Sequence, residues 1–246
     1  SMYAQLKKKY GQNFLIDNNI NNKIIDLIKR DNLNILEIGP GDGRLTEKIL
    51  KKRPLRFDLI EIDNDLVKIL NNIYKKYDFI NIFNEDILNF DLNNKYDLVI
   101  SNLPYNISSQ VLIKLTLMKK TPKEMILMFQ KEFAHKLLEN NLNSINSIIN
   151  CFYNIKLAFN VSKYCFRPIP KVESSVLKFE KLSKDLINKS EIESFIKFKK
   201  YLFSHKRKSL KNLLKKYEIS EEFNLNLRAE SLKLKELIGI FRKINF

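Results

Sequence analysis

The run Ser101-Asn102-Leu103-Pro104-Tyr105-Asn106-Ile107-Ser108-Ser109 holds residue types suited to chemistry on an exocyclic amine. The N6 amine of adenine is a poor nucleophile because its lone pair is delocalised into the ring. Two acceptors aimed at its hydrogens, the side-chain oxygen of Asn102 and the carbonyl of Leu103, would favour a pyramidal nitrogen. They would also stabilise the positive charge that grows there during alkyl transfer. Pro104 fixes its own φ and stiffens the turn that aims these groups. Tyr105 offers an aromatic face to an extruded base.

A second constellation lies upstream. Leu36-Glu37-Ile38-Gly39-Pro40-Gly41-Asp42-Gly43-Arg44-Leu45-Thr46 reads as a glycine-rich turn between a strand and a helix. At Gly39 and Gly41 the missing side chains let a ligand approach the backbone. About 20 residues further on, Ile60-Glu61-Ile62-Asp63 places Glu61, with Ile62 beside it, where a carboxylate can accept from both hydroxyls of a ribose. Asn84-Glu85-Asp86-Ile87 follows the next strand, with Asp86 as an acceptor for an adenine amino group and Ile87 against the ring face. A glycine turn plus an acid fits a nicotinamide dinucleotide as well as S-adenosylmethionine, so the choice falls to the Asn102 motif, which favours methyl transfer.

These residues need a scaffold, and the pattern supplies one. Short apolar runs at Asn34 to Ile38, Phe57 to Ile62, Phe79 to Phe83, Tyr96 to Ser101 and Met125 to Gln130 alternate with segments whose apolar residues recur at helical spacing, such as Leu66, Ile69, Leu70 and Ile73. That alternation predicts a doubly wound α/β sheet. Ile155 to Val161 and Ser174 to Phe179, around Phe166 to Lys171, predict a closing hairpin-like pair. From Glu191 onward the spacing is helical throughout. A boundary near residues 180 to 190 gives a catalytic domain over 1–182 and an all-helical domain over 183–246.

Lys and Arg number 44 against 28 Asp and Glu, a net +16 that predicts attraction to a polyanion. The last 66 residues carry +9 of it. Lysine- and asparagine-rich usage also follows from an AT-rich genome, so charge alone does not choose between RNA and DNA. Lys206, Arg207 and Lys208 are expected to open an apolar-striped helix and, with Lys211, to grip phosphates. Cys151 and Cys165 match no zinc or redox spacing, neither adjoins a proline, and both read as packing residues. His135 and His205 have no partner motif. No metal site is expected. No run of about 18 apolar residues occurs, so a cytoplasmic protein without a membrane segment is expected.

Lys9-Tyr10-Gly11-Gln12-Asn13-Phe14-Leu15, the Glu37 to Thr46 turn, Asn102 to Ser108, Gln130-Lys131-Glu132, Phe166-Arg167-Pro168-Ile169-Pro170-Lys171-Val172-Glu173-Ser174, Lys206-Arg207-Lys208 and Arg228-Ala229-Glu230 occur in one order along nearly the whole chain. In that order they resemble the motifs of the small-subunit ribosomal RNA adenine N6,N6-dimethyltransferases. The resemblance implies a Rossmann-like class I methyltransferase fold with a small helical C-terminal domain. It implies that Gln12, Asn13 and Leu15 lie over S-adenosylmethionine, joining Gly39, Gly41, Glu61, Ile62, Asp86, Ile87 and Asn102. Phe166 matches an aromatic that stacks on the target base opposite Tyr105, and Arg167 and Lys171 stand where RNA would enter. The implied reaction is direct attack of adenine N6 on the sulfonium methyl at two adjacent adenosines near the 3′ end of small-subunit RNA. The implied substrate is a pre-assembled ribosomal subunit, and the enzyme is expected to act as a monomer.

Two departures occur. Ser109 stands where Thr is commoner, and His205-Lys206 where Arg is commoner. Two rival readings remain at this point. One is a large-subunit enzyme of the macrolide-resistance type, against which Gly39-Pro40-Gly41 and Asn102-Leu103-Pro104-Tyr105 speak. The other is a non-catalytic nucleic-acid-binding protein, acting in ribosome assembly or transcription.

Overall fold

A computed structural model of the chain describes residues 12–220 and 222–246. Lys9 to Gly11, the first part of the N-terminal motif, lie outside the described residues. The chain separates into two compact units, Ser1–Ala134 with Lys156–Lys181, and His135–Ile155 with Leu182–Phe246.

The first unit is built on a sheet. In chain order it contains β1 (Phe14–Leu15), α1 (Asn18–Asp26), β2 (Asn34–Ile38), α2 (Arg44–Ile49), β3 (Arg56–Ile60), α3 (Asn64–Tyr74), β4 (Ile80–Phe83), β5 (Leu98–Asn102), α4 (Ser108–Thr116) and β6 (Glu124–Gln130). After α5 (Lys131–Leu138) and α6 (Asn146–Ile149), it is completed by β7 (Tyr153–Val161), β8 (Phe166–Arg167) and β9 (Ser174–Lys181). Seven strands pair in the order β4-β3-β2-β5-β6-β9-β7. The first five run parallel. β9 is antiparallel to β6, from Glu124 against Glu180 to Gln130 against Ser174.

Helices on both faces bury Ile35, Leu36, Phe57, Leu59, Val99 and Met125 completely. This explains why the parallel strands read as continuous apolar runs. Chain order reverses at β2, whose neighbours are β3 on one side and β5 on the other. A crevice opens at such a reversal, beyond the carboxyl ends of the two strands. The α/β class is as expected, and strand bounds differ by a few residues. β3 stops at Ile60 rather than Ile62 because the chain turns there into the cap of α3, with Glu61 N–H still donating to the Phe83 carbonyl at 3.0 Å. Asp63 then caps α3, accepting from Asp65 and Leu66 N–H at 2.8 and 3.1 Å.

In the second unit, α7 (Ile192–Ser204), α8 (Leu210–Leu213) and α9 (Leu234–Ile244) follow, with no strand after Lys181 among the described residues. Phe195 and Phe198 meet Phe241 at ring-centroid distances of 5.3 and 5.4 Å. Such pairs add about 0.5–1.5 kcal/mol each beyond their buried area.

Residues 135–155, assigned from sequence to the domain 1–182, group instead with these helices. The cause is direct bonding. Leu142 N–H donates to the Glu230 carbonyl at 3.0 Å, Leu186 N–H to Cys151 at 2.9 Å, and the buried Lys199 ammonium to Ser144 Oγ at 2.9 Å. Burial first, and the charge of Lys200 second, pull the Lys199 amine down to about 8. Cys151 is buried, which pushes its thiol up to about 12, in keeping with a packing residue.

Candidate active site

Asn102 closes β5, paired with Met128 of β6. Leu103 N–H continues the ladder onto the Met128 carbonyl at 3.3 Å, and the chain then leaves the sheet. The turn is closed by Ile107 N–H on the Pro104 carbonyl at 3.2 Å and by Ser108 Oγ on the Tyr105 carbonyl at 3.0 Å. Ser101 Oγ donates to the Ile38 carbonyl at 2.7 Å, tying this strand end to the strand that carries the glycine turn.

A strap crosses over these ends. β1 pairs antiparallel with β8, setting Phe14 against Arg167 and Leu15 against Phe166. Asn13 Nδ2 donates to the Pro168 carbonyl at 2.7 Å. Asn102 Nδ2 donates to the Asn13 carbonyl at 3.1 Å. The strap thus uses the donor side of the Asn102 amide. Its oxygen accepts no hydrogen bond among the described residues.

Between strap and strand ends lies a cavity of about 100 Å³. Gln12, Asn13, Leu15, Gly39, Gly41, Asn102, Leu103, Pro104, Tyr105 and Phe166, all singled out from sequence, line it. Phe166 is buried and Tyr105 is 64% exposed, so one ring forms the floor and the other stands at the mouth. Gly39 has φ +68°, and a Cβ placed there would meet nothing within 4 Å, leaving its backbone open to the cavity. Gly41 is different. With φ +60°, a Cβ there would come within 3.0 Å of the Phe14 ring, so this glycine admits the strap.

Glu61, Ile62, Asp86 and Ile87 do not line that cavity. Glu61 is buried and joined to the glycine turn, accepting from Gly41 N–H at 3.0 Å and from Asp63 N–H at 3.1 Å. Burial raises its pKa most, the two N–H groups oppose that, the Asp63 charge adds to it, and a hydrogen bond from the Gln12 side chain lowers it. Asp86 sits in the turn after β4 and accepts from Leu88 N–H at 3.0 Å. Ile62 is exposed while Ile87 is buried.

Glu37 was quoted in the glycine motif without a role, yet it lines the cavity and is only 2% exposed. Burial pushes its pKa up to about 8; the Thr46 hydroxyl, donating at 2.5 Å, opposes that, while the charges of Glu61 and Asp42 reinforce it. Its position at the buried end of β2 was the available signal.

The expected phosphate contacts fall in two places. Arg167 and Lys171 are exposed on the segment that follows Phe166, and Arg167 Nη1 is spent on the carbonyls of Tyr164 and Phe166 at 3.0 and 2.8 Å. Lys206, Arg207, Lys208 and Lys211 are exposed in the second unit. The first three do not open a helix. They form the turn between α7 and α8, because Ser209 caps the next helix, its hydroxyl accepting from Asn212 N–H at 3.4 Å. No cluster of metal-ligating side chains and no helix long and apolar enough to cross a membrane occur among the described residues.

The sequence model for ribosomal RNA adenine dimethylase matches residues 3–241. A ribosomal RNA small subunit methyltransferase A from Mycoplasmopsis pulmonis is 37% identical, over 97% of this chain and 98% of that protein. The protein of the same name from a Hydrogenobaculum strain is 35% identical over 97% and 93%. Among solved structures, a dimethyladenosine transferase from Plasmodium falciparum superposes with a TM-score of 0.82 at 24% identity, covering 95% of this chain and 98% of that one. The 23S rRNA methyltransferase ErmE gives 0.77 at 21% identity, over 95% and 100%. These two likenesses concern the fold, which is that of the class I methyltransferases. With a match that spans almost its whole length, the chain belongs to the ribosomal RNA adenine dimethylase family.

Proposed function

We propose that this chain is an S-adenosylmethionine-dependent enzyme that dimethylates N6 of two adjacent adenosines near the 3′ end of small-subunit ribosomal RNA, working on an assembled subunit. The observation that carries the reading is the Asn102 amide. Its nitrogen is used by the Asn13 carbonyl, so the oxygen remains as acceptor for an amine, at a cavity lined by one buried and one exposed aromatic ring.

The residues present fit the cofactor. Gln12 Oε1 is buried without a hydrogen-bond partner and needs a donor such as a ribose hydroxyl. The Gly39 backbone stands open, and Glu61 presents a carboxyl beside Gly41. When bound, S-adenosylmethionine supplies an electrophilic methyl group on sulfonium. Asn13, Leu15, Gly39 and Gly41 would hold its methionine end, and Glu61, Ile62, Asp86 and Ile87 its adenosine end. Asn102 and the Leu103 carbonyl would orient the amine and stabilise its growing charge, with Pro104 keeping the turn stiff. Phe166 and Tyr105 would sandwich the base.

The sheet-bearing unit is read as catalytic, the helical unit as an RNA-contacting one, and the enzyme as a cytoplasmic monomer. Relatives carrying the name ribosomal RNA small subunit methyltransferase A favour the small-subunit substrate over the large-subunit alternative. The test is methyl transfer from labelled cofactor to purified small and large subunits, read by mass spectrometry of nucleosides. N6,N6-dimethyladenosine in the small subunit alone is the expected product. Label in the large subunit, or none in either, would remove the assignment.

A further inference from the structure

Lys114 has no role in the site as described so far. It sits in α4, the helix that leaves the Asn102–Ser108 loop, and its side chain is half-buried. Its ammonium donates to the Ile87 carbonyl at 2.6 Å and, more closely still, to the Phe90 carbonyl. These two carbonyls bracket the turn that follows Asp86. The same turn is packed from its other end by the Phe90 ring on Phe83, 5.0 Å between centroids. Asp86 and Asp91 are the charges that face the ammonium.

Burial of the Lys114 ammonium lowers its pKa, and the charges of Asp86 and Asp91 oppose that. What the charge gains is reach, since one ammonium can donate to two carbonyls of a single turn and still attract the carboxylate at its head. The turn's own hydrogen bonds are local, Asp86 accepting from Leu88 N–H and Asn89 N–H donating to the Asp86 carbonyl.

We propose that Lys114 is a positioning residue for the cofactor's adenine, holding Asp86 and Ile87 in place from the helix that begins at the catalytic loop. This rests on the reading of Asp86 and Ile87 given above. It also makes α4 a strut between the two ends of the site, one end of the helix set by Asn102 to Ser108 and its next turns setting the adenine loop.

The test is calorimetric binding of S-adenosylhomocysteine and of adenosine to wild type, Lys114→Met and Lys114→Arg, with thermal melting alongside. Loss of a charged hydrogen-bonding partner should weaken S-adenosylhomocysteine on the order of tenfold in Lys114→Met. Adenosine should weaken by the same factor, because the whole effect lies at the adenine. KM for S-adenosylmethionine should rise with kcat at saturation changing less than about twofold, and Lys114→Arg, which keeps charge and donors, should restore most of the loss. A lower melting temperature with unchanged affinities would make Lys114 a structural anchor only and overturn the proposal. So would a fall in kcat at constant KM. Should Lys114→Met not fold, Lys114→Gln carries the same comparison. Wild type that fails to bind S-adenosylhomocysteine would instead count against the cofactor reading itself.

Discussion

The two ends of the site are held together over very different distances along the chain. Where the methyl would be transferred, Asn102 binds Asn13 across 89 residues and Asn13 binds Pro168 across 155. Where the adenosine would lie, Glu61 binds Gly41 and Asp63, 20 and 2 residues away, and Asp86 binds Leu88, 2 away. The first end therefore exists only once β1, β5 and β8 have met. The second is assembled mainly from turns at neighbouring strand ends, with Gln12 on Glu61 and Lys114 on the Ile87 and Phe90 carbonyls as its longer ties. A preformed donor–acceptor arrangement is what charge stabilisation in a transition state requires, since reorganisation during the reaction would consume the gain. Ribose and adenine recognition needs only acceptors at the right height on adjacent strand ends.

That contrast can be broken most sharply at Asn102. Asn102→Ala removes the acceptor and also the Nδ2 tie to the Asn13 carbonyl, and leaves the glycine turn and Glu61 untouched. It should lower kcat on the order of 10²-fold or more, and S-adenosylmethionine affinity by far less, through the lost tie to the strap. Single-turnover rates against calorimetric affinities decide the point. Equal losses in both would move Asn102 to the binding end and erase the distinction.

Glu61→Ala is the converse experiment, expected to be smaller. Loss of a buried carboxylate that accepts from a ligand should weaken S-adenosylmethionine roughly tenfold to a hundredfold, with kcat at saturation nearly preserved. Unchanged affinity would take Glu61 out of the site and leave it as the clasp between Gly41 and Asp63. Such a clasp should still show itself, as a drop in the melting temperature of the ligand-free protein.

How far each end could be read in advance follows from the same distances. Glu61 and Asp86 stand at strand ends at regular spacing, so the alternation of apolar runs located them. Asn102 was legible because Asn-Leu-Pro-Tyr is itself a chemical constellation. That Asn13 lies against Asn102 is written in no local pattern, and only the resemblance placed Gln12 to Leu15 nearby. Nothing in the sequence marks Lys114, because its partners are main-chain carbonyls, which leave no trace there. Lys206 to Lys208 were drawn into a helix by the apolar spacing that follows them, but Ser209 restarts the helix and leaves the charges in the turn. The grouping of residues 135–155 with the tail depends on backbone bonds such as Leu142 to Glu230, which periodicity does not encode.

Both ends also bury an acid, and a last expected effect, on stability rather than on turnover, comes from how differently the two are supported. Burial raises the pKa of Glu61, but two backbone N–H groups and the Gln12 side chain oppose it there. Glu37 has one hydroxyl, from Thr46, and faces the charges of Glu61 and Asp42, so burial prevails and its pKa stands at about 8 against an ordinary 4.5. Below 4.5 the carboxyl is protonated whether the chain is folded or not, and it costs folding nothing. Between 4.5 and about 8 the folded chain keeps a proton that the unfolded chain has released, so stability falls as pH rises, by up to about 1.4 kcal/mol per unit. Above about 8 the loss is complete. Glu37→Gln, neutral at every pH and still able to accept from Thr46, should remove this slope and be the more stable protein at pH 8. Urea unfolding of both ligand-free proteins from pH 5 to 9 measures it directly. Parallel slopes would mean that Glu37 is ionised in the folded state at neutral pH, its charge held by the glycine turn or the Thr46 hydroxyl.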